Sequence, residues 1–243
     1  MPATVTGTES PTPLLRRVFF TCPDLTRARP PAVGAWLRGY FPTPDAGTSV
    51  GPAAVSEVAG CVPRAYTLVD FDRDQGSFAL DFVLHGLGPA ALWAAGAKSG
   101  DVLPISGPLG RGQVDQRFKR WVFLADTTAL PAVRQWLAAL RAGSSAIVHL
   151  WAPGPGERQD LVGPKDLAVT WHYDQFDPAA LIQTDSLTEA GWSLSDPQVK
   201  LWIAGEAGQV TAARQVLAPM GLAPGSLAAA GYWRRGQPSL TPG

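Results

Sequence analysis

Arg64, Tyr66 and Thr67 crowd into one short stretch, Arg64-Ala65-Tyr66-Thr67. Arginine supplies a planar fork of donors that suits a phosphate. Tyrosine supplies a flat face for stacking, and threonine a hydroxyl for a polar ring atom. On one extended strand Arg64 and Tyr66 share a face while Thr67 points the other way, so all three meet one ligand only if the strand bends. The bland reading of the same residues is an ordinary strand with a core tyrosine. A second stretch runs Asp81-Phe82-Val83-Leu84-His85-Gly86-Leu87-Gly88-Pro89-Ala90-Ala91-Leu92-Trp93-Ala94. It reads as a strand, a glycine turn and a helix start, and a helix N-terminus offers unpaired amides and a positive dipole end to phosphate. His85 falls just before the turn, where a hydrogen-bonded strand-end histidine is the equal alternative. Trp93 reads as helix core.

Leu124-Ala125-Asp126-Thr127-Thr128-Ala129-Leu130-Pro131-Ala132 joins a strand to a helix. Asp126 or a threonine before Leu-Pro is good capping chemistry, and the turn also lies where open α/β sheets bind ligands. Trp202-Ile203-Ala204-Gly205-Glu206 is a second strand end with a glycine and an acid, and Gly231-Tyr232-Trp233-Arg234-Arg235-Gly236 ends in two cations. Gly107-Pro108-Leu109-Gly110-Arg111-Gly112 is not a G-x-G-x-x-G loop, and no helical pattern follows it; it reads as a linker. His149 and His172 lie inside apolar strands and read as core or sheet-face residues. No triad and no H-x-x-x-H or C-x-x-C spacing is present, which argues against hydrolytic metal chemistry.

The elements that must position these residues fall into two grammars. Up to about residue 112 the chain reads as short strands and turns: Leu15–Thr21, Ala35–Phe41, a loop over 42–60, then Arg64–Phe71 and Ser77–His85 as a hairpin, and Asp101–Ser106. One helix, Pro89–Ala97, interrupts them. This predicts an antiparallel Greek-key β-barrel over residues 1–115. From Arg120 onward strand and helix alternate: Arg120–Ala125, Leu130–Ala142, Ser145–Trp151, Ala168–Tyr173, Pro178–Gln183, Lys200–Ala204, Glu206–Ala218 and Leu227–Trp233. That alternation predicts an α/β domain with a parallel sheet over residues 116–243.

Composition agrees. The 26 glycines and 23 prolines in 243 residues oppose a helical bundle and favour many turns. The net charge is zero, which gives nucleic-acid binding little electrostatic support. Residues 145–206 are rich in acids, whereas the chain from 207 onward has Arg214, Arg234 and Arg235 and no acid. Cys22 and Cys61 sit in no metal or redox spacing, which fits reduced thiols and a cytoplasmic location. The N-terminal residues lack the pattern of a signal peptide, and no apolar run is long enough to span a membrane.

Taken in order, R-A-Y-T, D-F-V-L-H-G with G-P and W-A, A-D-T-T-A-L-P-A, W-I-A-G-E and G-Y-W-R-R-G resemble the siderophore-interacting protein family of flavin-dependent ferric-siderophore reductases. The resemblance implies a ferredoxin-reductase-like architecture, an FAD-binding barrel followed by a domain for NADH or NADPH. It implies that Arg64, Tyr66 and Thr67 contact the flavin and that Val83 and His85 lie along it. Gly88, Pro89, Ala90 and Ala91 would face the pyrophosphate, with Trp93 close by, while Asp126, Thr128 and Glu206 would lie on the nicotinamide side. Arg234 and Arg235 would attract an anionic ferric siderophore. The chain departs from the family pattern at Val69, where a second arginine is usual. It departs again at Ala91 and Leu92, where a hydroxyl and a basic residue are usual, and at Thr127, where an acid is usual. These departures motivate one alternative, a non-catalytic siderophore- or ligand-binding module on the same fold with a degraded flavin site; a general flavin reductase or electron-transfer partner is a second.

Overall fold

The computed structural model describes residues 1–42, 60–84, 88–183 and 191–236. The expected loop lies, over 43–59, outside the described residues, as does His85. Two compact units divide the chain, Met1–Gly112 and Gln113 onward.

The first unit contains β1 (Pro2–Thr12), β2 (Leu15–Thr21), β3 (Trp36–Pro42), β4 (Cys61–Thr67), β5 (Val69–Asp72), β6 (Ser77–Val83), α1 (Pro89–Gly96) and β7 (Val102–Leu109). The strands pair antiparallel in the order β4-β3-β7-β1-β2-β6-β5. The two ends of that order, β4 and β5, are consecutive in the chain and separated only by Leu68. The sheet must therefore roll up until its ends meet, which makes it a barrel. The chain returns through α1 to lay β7 between β1 and β3, a Greek-key return. Alternate residues fill the interior: Ala3 and Val5, Val18 and Phe20, Leu37 and Phe41, Leu80 and Phe82, Leu103 and Ile105, all at most 1% exposed.

Three sequence expectations change here. The polar N-terminus forms β1, since pairing with β2 on one side and β7 on the other needs only Ala3 and Val5 to point inward. The expected strand Arg64–Phe71 breaks at Leu68, so that β4 pairs with β3 while β5 pairs with β6. The expected linker begins later, because β7 continues through Gly107 and Pro108 to Leu109, which pairs with Trp36.

The second unit contains β8 (Arg120–Asp126), α2 (Leu130–Ala139), β9 (Ser145–Trp151), β10 (Asp166–His172), α3 (Pro178–Gln183), β11 (Val199–Glu206), α4 (Ala207–Leu217) and β12 (Leu227–Trp233). All five strands are parallel, in the order β10-β9-β8-β11-β12. The apolar run of β8 is buried on both faces: Trp121, Phe123 and Ala125 pack with Val133 and Leu137 of α2, and Val122 and Leu124 with Val210 and Ala213 of α4. The order reverses direction between β8 and β11. In open α/β sheets such a switch point opens a crevice at the carboxyl ends of the strands, here Asp126 and Glu206. Among the described residues no helix is long and apolar enough to cross a membrane.

Candidate functional site

In the first unit the register of β4 against β3 decides which of the predicted residues meet. Tyr66 stands opposite Leu37 and Arg64 opposite Gly39, on the inward face; Thr67 stands opposite Trp36, on the other. Arg64 and Tyr66 therefore share a face as the alternation predicts, and Thr67, 8% exposed, does not join them. Gly39 is required beside Arg64, since a Cβ there would lie 2.9 Å from the Phe41 ring. The Tyr66 ring packs 4.4 Å from Phe82 and edge-on to Phe41 at 5.7 Å, and burial pushes its hydroxyl pKa well above the ordinary value. Phe41 and Phe82 also meet Trp93, at 5.6 and 6.0 Å, and Phe20 stacks on Trp93 at 6.1 Å. Trp93 thus ties α1 to β2, β3 and β6 through the core.

Two features of this unit are open to an anion. The Arg64 guanidinium is half-buried, and its hydrogen bond is to the carbonyl of neighbouring Pro63, 2.7 Å away. No ion pair to a carboxylate accompanies it among the described residues, and burial lowers its pKa. Helix α1 starts at Gly88 with no side-chain cap and no acid in its first turn, which leaves the amides of Ala90 and Ala91 for a ligand. Gly88 itself has open space around it. Val83 closes β6 opposite Leu15 and is half-buried. By contrast Arg17, on the neighbouring strand, is fully committed to Asp81 through two bonds of 2.7 and 2.9 Å. A half-buried arginine without an acid partner among the described residues, together with an uncapped helix start, suits a pyrophosphate. On this donor set the residues present fit FAD.

In the second unit Asp126 and Glu206 end neighbouring strands and are 6% and 8% exposed. Asp126 Oδ1 accepts from the Thr128 amide at 2.9 Å and from the Thr128 hydroxyl, and Oδ2 accepts from Trp233 Nε1 at 2.7 Å. Burial nevertheless raises the Asp126 pKa, against the lowering effect of these donors. Gly205 allows the approach: at φ +153° a Cβ on it would lie 2.5 Å from Asp126 Oδ2. Glu206 caps α4 by accepting from the Gln209 amide at 2.8 Å, and its other oxygen accepts from the Arg235 amide at 3.2 Å. Asp126, Thr128 and Glu206 are thus brought together, with Trp233 added. No spacing in the sequence marked Trp233; the β11–β12 register places it opposite Glu206. Arg234 and Arg235 follow β12 with both side chains exposed. The two strand histidines meet, His149 Nδ1 lying 3.0 Å from His172 Nε2, and His172 stacks on Trp151 at 4.4 Å.

A barrel with an open anion cradle, followed by a five-stranded parallel unit with carboxylates at its switch point, defines a ferredoxin-reductase fold. A ferredoxin NADP+ reductase from Neisseria gonorrhoeae, solved with bound FAD and NADP, superposes with a TM-score of 0.66 at 16% identity, over 96% of this chain and 98% of that one. Residues 4–112 match the siderophore-interacting FAD-binding domain, and residues 118–236 match the siderophore-interacting protein family. A siderophore utilization protein from T. fusca is 30% identical with a TM-score of 0.83, over 99% of this chain and 95% of its own. The ferric vibriobactin reductase of Vibrio cholerae is 24% identical over 230 residues, 92% of this chain and 85% of its own. The chain belongs to the siderophore-interacting protein family.

Proposed function

We propose that the protein is a cytoplasmic flavoenzyme that uses NADH or NADPH to reduce ferric siderophores and so release iron(II). The observation that carries this reading is Arg64, a half-buried cation without a carboxylate partner among the described residues, on the same face of β4 as Tyr66. The family membership supports it, as does the likeness to a relative named as a ferric reductase.

Arg64 and the amides of Ala90 and Ala91 would hold the FAD pyrophosphate, and Tyr66 and Val83 would border the ring. Thr67, turned away, would act on the strand rather than on the ligand. The chemistry that FAD supplies is the conversion of a two-electron hydride into single-electron transfers, which iron(III) needs. The protein's own contribution is position and charge. Asp126, Thr128 and Glu206 would line the nicotinamide side, and the exposed Arg234 and Arg235 would draw in an anionic chelate through their field. Iron(III) is held by hard oxygen donors far more tightly than iron(II), so reduction is release.

The test is the absorption spectrum of the purified, desalted protein, repeated after FAD addition and again under anaerobic NADH or NADPH. Flavin bands that persist and bleach, and that return when a ferric siderophore is added, are the expected result. A protein that retains no FAD is not this enzyme, and the departures at Val69, Ala91, Leu92 and Thr127 would then mark a binding module. Faster reoxidation by free flavin than by any ferric siderophore would favour the general flavin reductase.

A further inference from the structure

The strands of the second unit run out into acids. β8 ends on Asp126 and β11 on Glu206. The connection leaving β9 carries Glu157 in a single short turn, Pro155–Glu157, and Glu157 is 6% exposed. It stays near the carboxyl side of the sheet, because Arg134, in the first half of α2, holds Gln159 Oε1 at 2.9 Å and the Asp160 carbonyl at 3.3 Å just beyond it. β10 ends at His172, and Asp174 follows two residues later, exposed. The two histidines here add little to offset this charge: burial takes the His149 pKa down to about 4, and burial also lowers that of His172.

In a doubly wound sheet the adenosine half of a dinucleotide lies over the first strands on one side of the switch point. Beyond these strands an acid suits a free ribose 2′-hydroxyl, and an arginine suits a 2′-phosphate. β9 and β10 are the strands on that side of β8. We infer that this enzyme takes NADH in preference to NADPH, with Asp174 as the residue that disfavours the 2′-phosphate. The connection leaving β10 carries Asp174 and Asp177 and no cation over 173–183. The inference rests on the nucleotide reading proposed above and names which nucleotide that site accepts.

Two fragments without a nicotinamide ring separate the inference from the reading beneath it. ADP-ribose and 2′-phospho-ADP-ribose are titrated calorimetrically into the full chain at fixed ionic strength, with the wild type and with Asp174→Arg. Asp174 is exposed, so its substitution leaves the core untouched. ADP-ribose is expected to bind about tenfold or more tightly than its phosphorylated form, a difference of ~1.4 kcal/mol. Asp174→Arg should close most of that gap by tightening the phosphorylated fragment. Equal or tighter binding of 2′-phospho-ADP-ribose by the wild type overturns the preference and leaves the nucleotide site standing, and so does an Asp174→Arg variant with an unchanged ratio for the role of Asp174. Failure of both fragments to bind overturns the nucleotide site itself.

Discussion

Replacing Trp233 by phenylalanine removes one donor, Nε1, from the 2.7 Å bond to Asp126 Oδ2 while keeping an aromatic ring. Asp126 is 6% exposed, and with burial raising its pKa its charged form depends on every donor it has. A hydrogen bond to a charged group contributes about 1.5–3 kcal/mol, so that is the loss expected at pH 8. The sign of the pH dependence then follows from linkage. The folded-state pKa of Asp126 lies above its unfolded value, so the native state binds more protons in the window between them, and burying this group costs stability increasingly as pH rises through it. Losing a donor to the carboxylate raises the folded pKa further. The Trp233→Phe deficit should therefore be largest at alkaline pH and shrink as pH falls through the folded-state pKa of the variant and then that of the wild type, where Asp126 takes its proton. Urea unfolding followed by circular dichroism, from pH 8 down to the acid limit of the folded state, measures both. A deficit that does not change with pH, or one below about 0.5 kcal/mol at pH 8, would refute the claim that Trp233 holds a buried charge.

Arg17→Ala leaves Asp81 buried and unpaired, its side chain 3% exposed, and should destabilise the barrel by about 3–5 kcal/mol in urea unfolding. Gly231→Ala puts a Cβ 2.7 Å from that of Ala207, which begins α4, and should cost about 1–3 kcal/mol in the same measurement. Arg64→Ala removes the charge offered to the FAD pyrophosphate. It should weaken FAD retention by about one to two decades, read by fluorescence titration, with the melting temperature of the FAD-free protein nearly unchanged.

The parallel unit was the more legible half. Its central strands β8, β9 and β11 are largely buried on both faces and so appear as apolar runs, and Ser145–Trp151, the helix Pro178–Gln183 and the edge strand Leu227–Trp233 fall where the pattern puts them. The barrel hides more, because its strands show only alternate residues to the core. β1 needs two buried side chains in its first half and is otherwise polar. The break at Leu68 is invisible locally, since β4 and β5 both have strand character and only the closing of the sheet separates them. The site follows the same logic. Arg64 and Tyr66 could be put on one face from a period of two, whereas the Trp233–Asp126 bond spans 107 residues and depends on strand register.

The two units treat helix N-termini in opposite ways. α1 begins at Gly88 without a side-chain cap, and Arg64 of the same unit has no acid partner among the described residues. In the other unit, Asp126 caps the turn into α2 and Glu206 caps α4. A helix end already filled by the chain's own carboxylate holds an external anion weakly, because the ligand must compete for the same amides and against a charge of its own sign. An end left open holds an anion tightly. This asymmetry suits a group kept through many turnovers in the barrel and a nucleotide that must leave after each one. Glu206→Gln would weaken the repulsion and keep an oxygen for the Gln209 amide. It should tighten ADP-ribose binding several-fold in calorimetry, and weaker binding would show instead that the carboxylate serves the nucleotide directly.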